Sequence, residues 1–295
     1  SGMKNKRSRF AVPYEVWMAI FVVAPIIIMV VYAFSTAAGD FTLENFARMG
    51  TYTAVFTRSI KLAIIATLIA LLIGYPVSYM LSKEGPQVQR IAMVLIMLPM
   101  WMNFLLRTYS WMSILENNGL LNQLFQQIGL IDLYNQIAMH FAADPAAYVP
   151  IDHFQMIGTQ GAVVLGMVYN YLPFMILPIY SVLVKLDHSL IEAARDLGAS
   201  SVQVFRKVIL PLSLPGVLSG ITMVFVPSVS TFAISRLLGG GTQMMLGDLI
   251  EQQFLGGAYN PQLGAAIALV MMAIVVVCML VMNRFGDGEE QAVML

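Results

Sequence analysis

Cysteine and histidine are scarce in this chain. Cys278 is the only thiol, and it lies in an apolar run; His140, His153 and His188 are widely spaced. One thiol excludes an intramolecular disulfide, and the histidines lack zinc-ligand spacing. Catalytic signatures are missing too. The sequence holds no G-x-x-x-x-G-K-[ST], no G-x-S-x-G and no H-E-x-x-H, so a phosphate loop, an activated serine and a metalloprotease helix are all excluded. We therefore expect no enzymatic activity, no catalytic residue, and no cofactor or metal bound by this chain. Charge is also scarce. Only 11% of the 295 residues are charged, against roughly 25% in soluble domains. The formal net charge is zero, which says nothing about partners.

What replaces charge is apolar surface: 59% of residues are hydrophobic and the mean hydropathy is +0.77. Six runs are long enough to cross a bilayer, at about 16–34, 62–81, 91–115, 162–184, 212–235 and 263–283. Backbone groups in lipid must be satisfied within the segment, so each run predicts a helix. The expected fold class is an all-α polytopic membrane protein with six transmembrane helices. Residues 1–15 and 286–295 are expected to flank a single six-helix transmembrane domain at 16–285. Ser1-Gly2 before Met3 reads as an expression remnant, and the first apolar run is expected to remain in the membrane.

Lys and Arg set the expected orientation. With the N-terminus inside, the inner segments hold Lys4, Lys6, Arg7, Arg9, Lys83, Arg90, Lys185, Arg195, Arg206, Lys207 and Arg284. The outer segments hold Arg48, Arg58, Lys61 and Arg236. Both termini and the loop at 186–211 then face the cytoplasm.

That loop is a charged island between apolar runs. Ser189 and Glu192 have capping-box spacing, which predicts a helix start at Ser189; Gly198 can end it in a left-handed cap. Leu190, Ala194 and Leu197 share one face. Ser200 and Gln203 repeat the box, and the second helix is expected to break at Pro211. Such a hairpin suits a groove on a soluble partner.

Glu192-Ala193-Ala194, then Gly198, then Leu210-Pro211 resembles the coupling loop of ABC-importer permeases, with Val208 where Ile is usual. The resemblance runs from Tyr14 to Phe285. Gly74-Tyr75-Pro76, Leu98-Pro99-Met100-Trp101-Met102-Asn103 with Arg107-Thr108-Tyr109, and Tyr171-Leu172-Pro173-Phe174-Met175 are similar to spermidine/putrescine permeases of the PotB type. The resemblance implies a type I (MetI-like) permease bundle with ATPase-coupling residues Glu192, Ala193, Ala194, Asp196, Leu197, Gly198 and Pro211. It also implies partners: a second, PotC-like permease, two PotA-like ATPase subunits carrying ATP and Mg, and an extracellular PotD-like polyamine-binding protein. It implies a bacterial plasma membrane as the location, and no nucleic acid.

Polar groups in spans mark pathway candidates, because they are costly there. Arg107 either lines the pathway, holds a neighbouring carboxylate or snorkels to the interface. Asn170 sits among Tyr169, Tyr171 and Pro173, and Ser228 and Ser230 follow Pro227. Two broken, polar helices suit a transport pathway. Trp101, Asn103, Tyr169 and Asn170 are expected to meet solute, while Tyr109 and Trp111 suit an interfacial belt. Residues 119–153 predict two short surface helices, either a docking platform or a packed loop. A helix at 244–254 presents Asp248 and Glu251, either to a binding protein or to the interface. A permease for an anion or an amino acid, and an ion-coupled carrier acting alone, remain alternative readings.

Overall fold

The computed structural model describes residues 12–142 and 144–293; the expected N-terminal segment through residue 11 lies outside the described residues. In chain order the helices are α1 (Val12–Ala33), α2 (Thr53–Ser82), α3 (Pro86–Trp101), α4 (Phe104–Leu115), α5 (Leu120–Gln127) and α6 (Leu130–Phe141). They continue with α7 (Gln160–Leu183), α8 (His188–Asp196), α9 (Ser201–Ser230), α10 (Ala233–Leu238), α11 (Leu246–Leu255) and α12 (Pro261–Val293). Among the described residues there is no strand, only an isolated bridge between Ser35 and Phe41. Five helical stretches are long and apolar enough to cross a membrane, and a sixth if a bent pair counts as one span.

Contacts divide the chain into two compact units. The described part of the first is residues 12–56 and 249–277. Ala33, Ala265 and Ala266 form its small core, with Phe34 and Phe46 packed on it. Asn45 pins the end of α1 by donating to the carbonyls of Ala33 and Ser35, both at 3.0 Å. Asn260 caps α12 by accepting from the Leu263 N–H at 3.1 Å. The helix continues through Val293, so residue 285 is not where it ends.

The second unit contains most of α2, then α3 to α10. Its centre is α7 against α9, joined by small residues rather than interdigitating large ones. A Cβ at Gly216 would lie 2.8 Å from the Pro178 carbonyl oxygen, and one at Gly220 would lie 2.7 Å from the Met175 sulfur. Gly74 brings α2 equally close to Met175. A second cluster builds on Leu62, Val163, Met167, Ile234 and Leu238.

The structure departs from the sequence reading at identifiable residues. The third span is not continuous over 91–115. It bends by 90° between α3 and the helical stretch beginning at Phe104. Met102 and Asn103 are extended there, and the Asn103 Oδ1 accepts from the Leu105 and Leu106 N–H groups to start a new helix. Pro211 does not break the hairpin's second helix either. A π turn at Phe205–Ile209 carries the chain into the span, so α9 is continuous from Ser201 to Ser230. The expected end at 235 falls at Ser230 instead. Thr231 is extended, because Gly247 packs so closely that a Cβ there would meet the Ser230 and Thr231 carbonyl oxygens.

The two surface helices before α7 exist, and α6 begins directly after Gly129 at φ +72°. Asn122 donates to the Phe154 carbonyl and accepts from the Phe154 N–H. Asn135 does the same for Ile151. Two amides thus substitute for a strand partner and hold the returning segment against α5 and α6.

Candidate coupling hairpin and transport pathway

The hairpin α8–α9 is built by local hydrogen bonds. Its first cap is Asp187, not Ser189: the carboxylate accepts from the Ser189 N–H at 2.9 Å. That backbone bond, aided by the Ser189 side chain, holds the Asp187 carboxyl below the usual carboxylate range. Gly198 takes φ +81°. Its N–H reaches the Arg195 carbonyl at 2.8 Å and the Ala199 N–H reaches Ala194 at 3.1 Å, a Schellman closure. Ser200 and Gln203 then form the reciprocal box, as expected from their spacing.

Burial gives the hairpin two apolar faces. Ile191, Ala194, Val204, Phe205 and Ile209 turn inward onto the ends of α2 and α7. The Phe205 ring is held edge-on by Tyr75 at 5.9 Å and Tyr79 at 5.6 Å. Leu190, Leu197 and Val202 turn outward, with Leu197 89% exposed. The single stripe of Leu190, Ala194 and Leu197 is thus divided: Ala194 packs inside while the leucines do not. Glu192, Ala193 and Asp196 are exposed as well, and Pro211 is half-buried within α9.

The pathway candidates separate into surface and interior. Trp101 ends α3 at 69% exposure. Asn103 is exposed and works as the α4 cap. Arg107 is buried rather than snorkelling, at 8% exposure. Its Nε and Nη1 have no hydrogen-bond partner, and its guanidinium lies over the Tyr169 ring. Trp111 packs edge-on against the same ring, and Tyr109 is half-exposed. Asn170 is buried, donates to the Gly166 carbonyl at 2.8 Å and leaves Oδ1 unbonded. Ser228 is fully buried and donates to Val224 within its own helix at 2.7 Å. It offers no surface to solute. Ser230 is half-buried and bonds back to Val226.

Asp248 does not form an exposed docking surface. It is 5% exposed and accepts from the Ser235 hydroxyl and, at 3.0 Å, from the Met245 N–H. The carboxylate fixes the turn that enters α11. Glu251 is half-buried on α11.

Several polar links between helices escaped the sequence reading. Tyr75 and Ser213 share a 2.8 Å hydrogen bond between α2 and α9. Ser78 donates to the Ile176 carbonyl, and Tyr180 donates to Gln89. Gly74-Tyr75-Pro76 was the available signal for the first; no spacing rule marks the others.

The family described as "Binding-protein-dependent transport system inner membrane component" matches residues 70–288, about three quarters of the chain. The chain belongs to that family. It is a multi-pass membrane permease of an ABC importer. The spermidine/putrescine transport system permease protein PotB of Haemophilus influenzae is 35% identical over 271 residues, covering 88% of each chain. The PotB protein of Escherichia coli K12 is 34% identical over 276 residues, covering 91% of this permease and 93% of that protein. The E. coli inner membrane ABC transporter permease protein YdcU is 27% identical over 79% of this permease and 71% of its own length.

Solved structures agree on the fold. A chain of the bacterial ABC transporter involved in import of the acidic polysaccharide alginate superimposes with a TM-score of 0.71 at 18% identity. That match covers 97% of this permease and 96% of that chain. A chain of the MetNI methionine ABC transporter gives 0.56 at 18% identity, over 82% of this permease and 98% of its own length. These likenesses establish the type I, MetI-like bundle. Family membership sets aside the ion-coupled carrier acting alone.

Proposed function

We propose that this permease forms half of the translocation pathway of a polyamine importer, taking spermidine, putrescine or both. The supporting observation is the identity of about a third to PotB proteins across nearly the whole chain. In this reading a second, PotC-like permease completes the pathway. Two PotA-like ATPases bind ATP and Mg and receive the outward face of α8–α9. A PotD-like protein delivers solute from outside, and both termini are cytoplasmic. The exposed Leu190, Leu197 and Val202 give the ATPase an apolar contact, and the inward face passes movement to α2, α7 and α9.

Solute contact is assigned to Trp101, Asn103, Tyr169 and Asn170. Aromatic faces and an amide oxygen suit an organic cation. The test is uptake of labelled spermidine and putrescine by the four-subunit complex in proteoliposomes supplied with the binding protein and ATP. ATP-dependent uptake is expected, reduced by alanine at each of the four positions. Uptake unchanged in all four variants would reject the pathway assignment. The buried Arg107 favours a second reading, an anionic solute or an amino acid with Arg107 as ligand. Competition by anions but not by polyamines would select it.

A further inference from the structure

A cavity of about 350 Å³ lies where the hairpin meets the ends of two spans. One wall is the last turn of α2 with its following turn, carrying Tyr79, Ser82 and Lys83; the other is α8 and α9, carrying His188, Arg195 and Ser201. The size lies within the range of about 300–1,000 Å³ usual for small-molecule sites. Neither the coupling role nor the pathway accounts for it.

Its chemistry is one-sided. Lys83 and Arg195 are the cationic groups on its lining, His188 lines it too, and no Asp or Glu is among the described residues that line it. The Lys83 ammonium lies over the ring of Tyr79, another lining residue, at 3.9 Å from its centroid. The Ser82 hydroxyl donates to the Tyr79 carbonyl at 2.8 Å, which leaves its oxygen lone pairs available but spends its proton. The nearest helix-cap acid, Asp187, is engaged with the Ser189 N–H. The apolar part of the lining is Leu183, Leu186, Ile191, Val204 and Ile209.

Position narrows the ligand. Ser82 and Leu183 are the last residues of two helices long and apolar enough to cross a membrane, so the cavity sits where those apolar segments end. Basic pockets at that depth attract anionic lipid headgroups. Cationic and apolar side chains lining one cavity match a phosphodiester joined to a glycerol and its first acyl carbons. They suit a fully hydrated inorganic phosphate less well, since the apolar lining gives that ion nothing.

We propose that this cavity binds the phosphate of an anionic phospholipid, with Lys83 and Arg195 as the charged contacts. The bound headgroup ties α8–α9 to α2 and stiffens the joint through which the hairpin moves the spans. The site needs no transported solute, so its test is independent of the polyamine reading.

The experiment uses the complete importer in phosphatidylcholine nanodiscs containing a photo-crosslinkable phosphatidylglycerol, with labelled peptides located by mass spectrometry. Labelling is expected on the segments around Lys83 and Arg195. In the double variant Lys83→Gln, Arg195→Gln the affinity should fall on the order of tenfold or more. The charge-keeping variant Lys83→Arg, Arg195→Lys should retain labelling, and it stands in for the neutral variant if that complex fails to assemble. Inorganic phosphate is added as a competitor and should displace little. Undiminished labelling in the neutral variant would overturn the proposal. So would absence of labelling on both segments in the unmodified complex, or displacement of the lipid by inorganic phosphate at concentrations comparable to the probe.

Discussion

The Arg107 Cζ lies 6.0 Å from the centroid of the Tyr169 ring, and Trp111 meets the same ring at 5.4 Å. One aromatic side chain of α7 thus supports two side chains of α4. Cation–π and edge-on aromatic contacts contribute about 0.5–2 kcal/mol each when desolvated. Tyr169→Leu should therefore lower thermal stability in detergent, whereas Tyr169→Phe, which keeps the ring, should not. Equal loss in the two variants would assign the effect to the hydroxyl and contradict the ring contact.

Close packing at glycines predicts an ordered series. Gly216→Ala drives its Cβ toward the Pro178 carbonyl and the Ile179 Cα, which are backbone atoms. Gly74→Ala meets chiefly the flexible Met175 side chain. Overpacking costs about 1–3 kcal/mol, and the first substitution should sit at the upper end and the second near the bottom. Thermal melts of the purified complex decide the order.

Gly198 turns the hairpin at φ +81°, and a Cβ added there would meet nothing within 4 Å. Any loss on substitution is then backbone strain and not collision. Gly198→Asn should retain most coupled ATP hydrolysis, because Asn tolerates the left-handed region, and Gly198→Val should lose most of it. Glu192→Lys reverses an exposed charge with no packing role in this chain. It should leave the permease folded while separating ATP hydrolysis from transport. Intact coupling in Glu192→Lys would remove Glu192 from the ATPase contact.

Acid should loosen the start of α8. Folding lowers the Asp187 pKa, so its contribution is fully present above the ordinary Asp value of about 3.9 and is lost as pH falls through the lower folded value. The hydrogen-exchange protection of the Ser189 N–H, taken relative to its intrinsic rate at each pH, should fall across that window. Asp187→Asn keeps a capping oxygen and should abolish the pH dependence. An unchanged acid response in that variant would point to another group.

Spans were legible because continuous apolar runs have few competing explanations. The Schellman glycine and the Ser200 box were legible because each rests on residues adjacent in the chain. What escaped depended on tertiary choice. Asp187 and Ser189 can both cap a helix, and only the folded chain shows the carboxylate winning. Asn103 reads as a polar residue within a span until its Oδ1 is seen starting α4. The division of Leu190 from Ala194, and the burial of Arg107, Ser228 and Asp248, are decided by neighbours distant in sequence. Spacing along one helix cannot supply them.

The absence of a joint at Pro211 has a mechanical result. Ser201 to Ser230 is one helix of 30 residues, so it is about 45 Å long at 1.5 Å per residue. Rocking such a rod by about 5° about one end shifts the other by roughly 4 Å. If an ATPase pushes beside Phe205, the displacement is carried along one continuous helix, through its π turn and its prolines, to the serines near Pro227 at the far end.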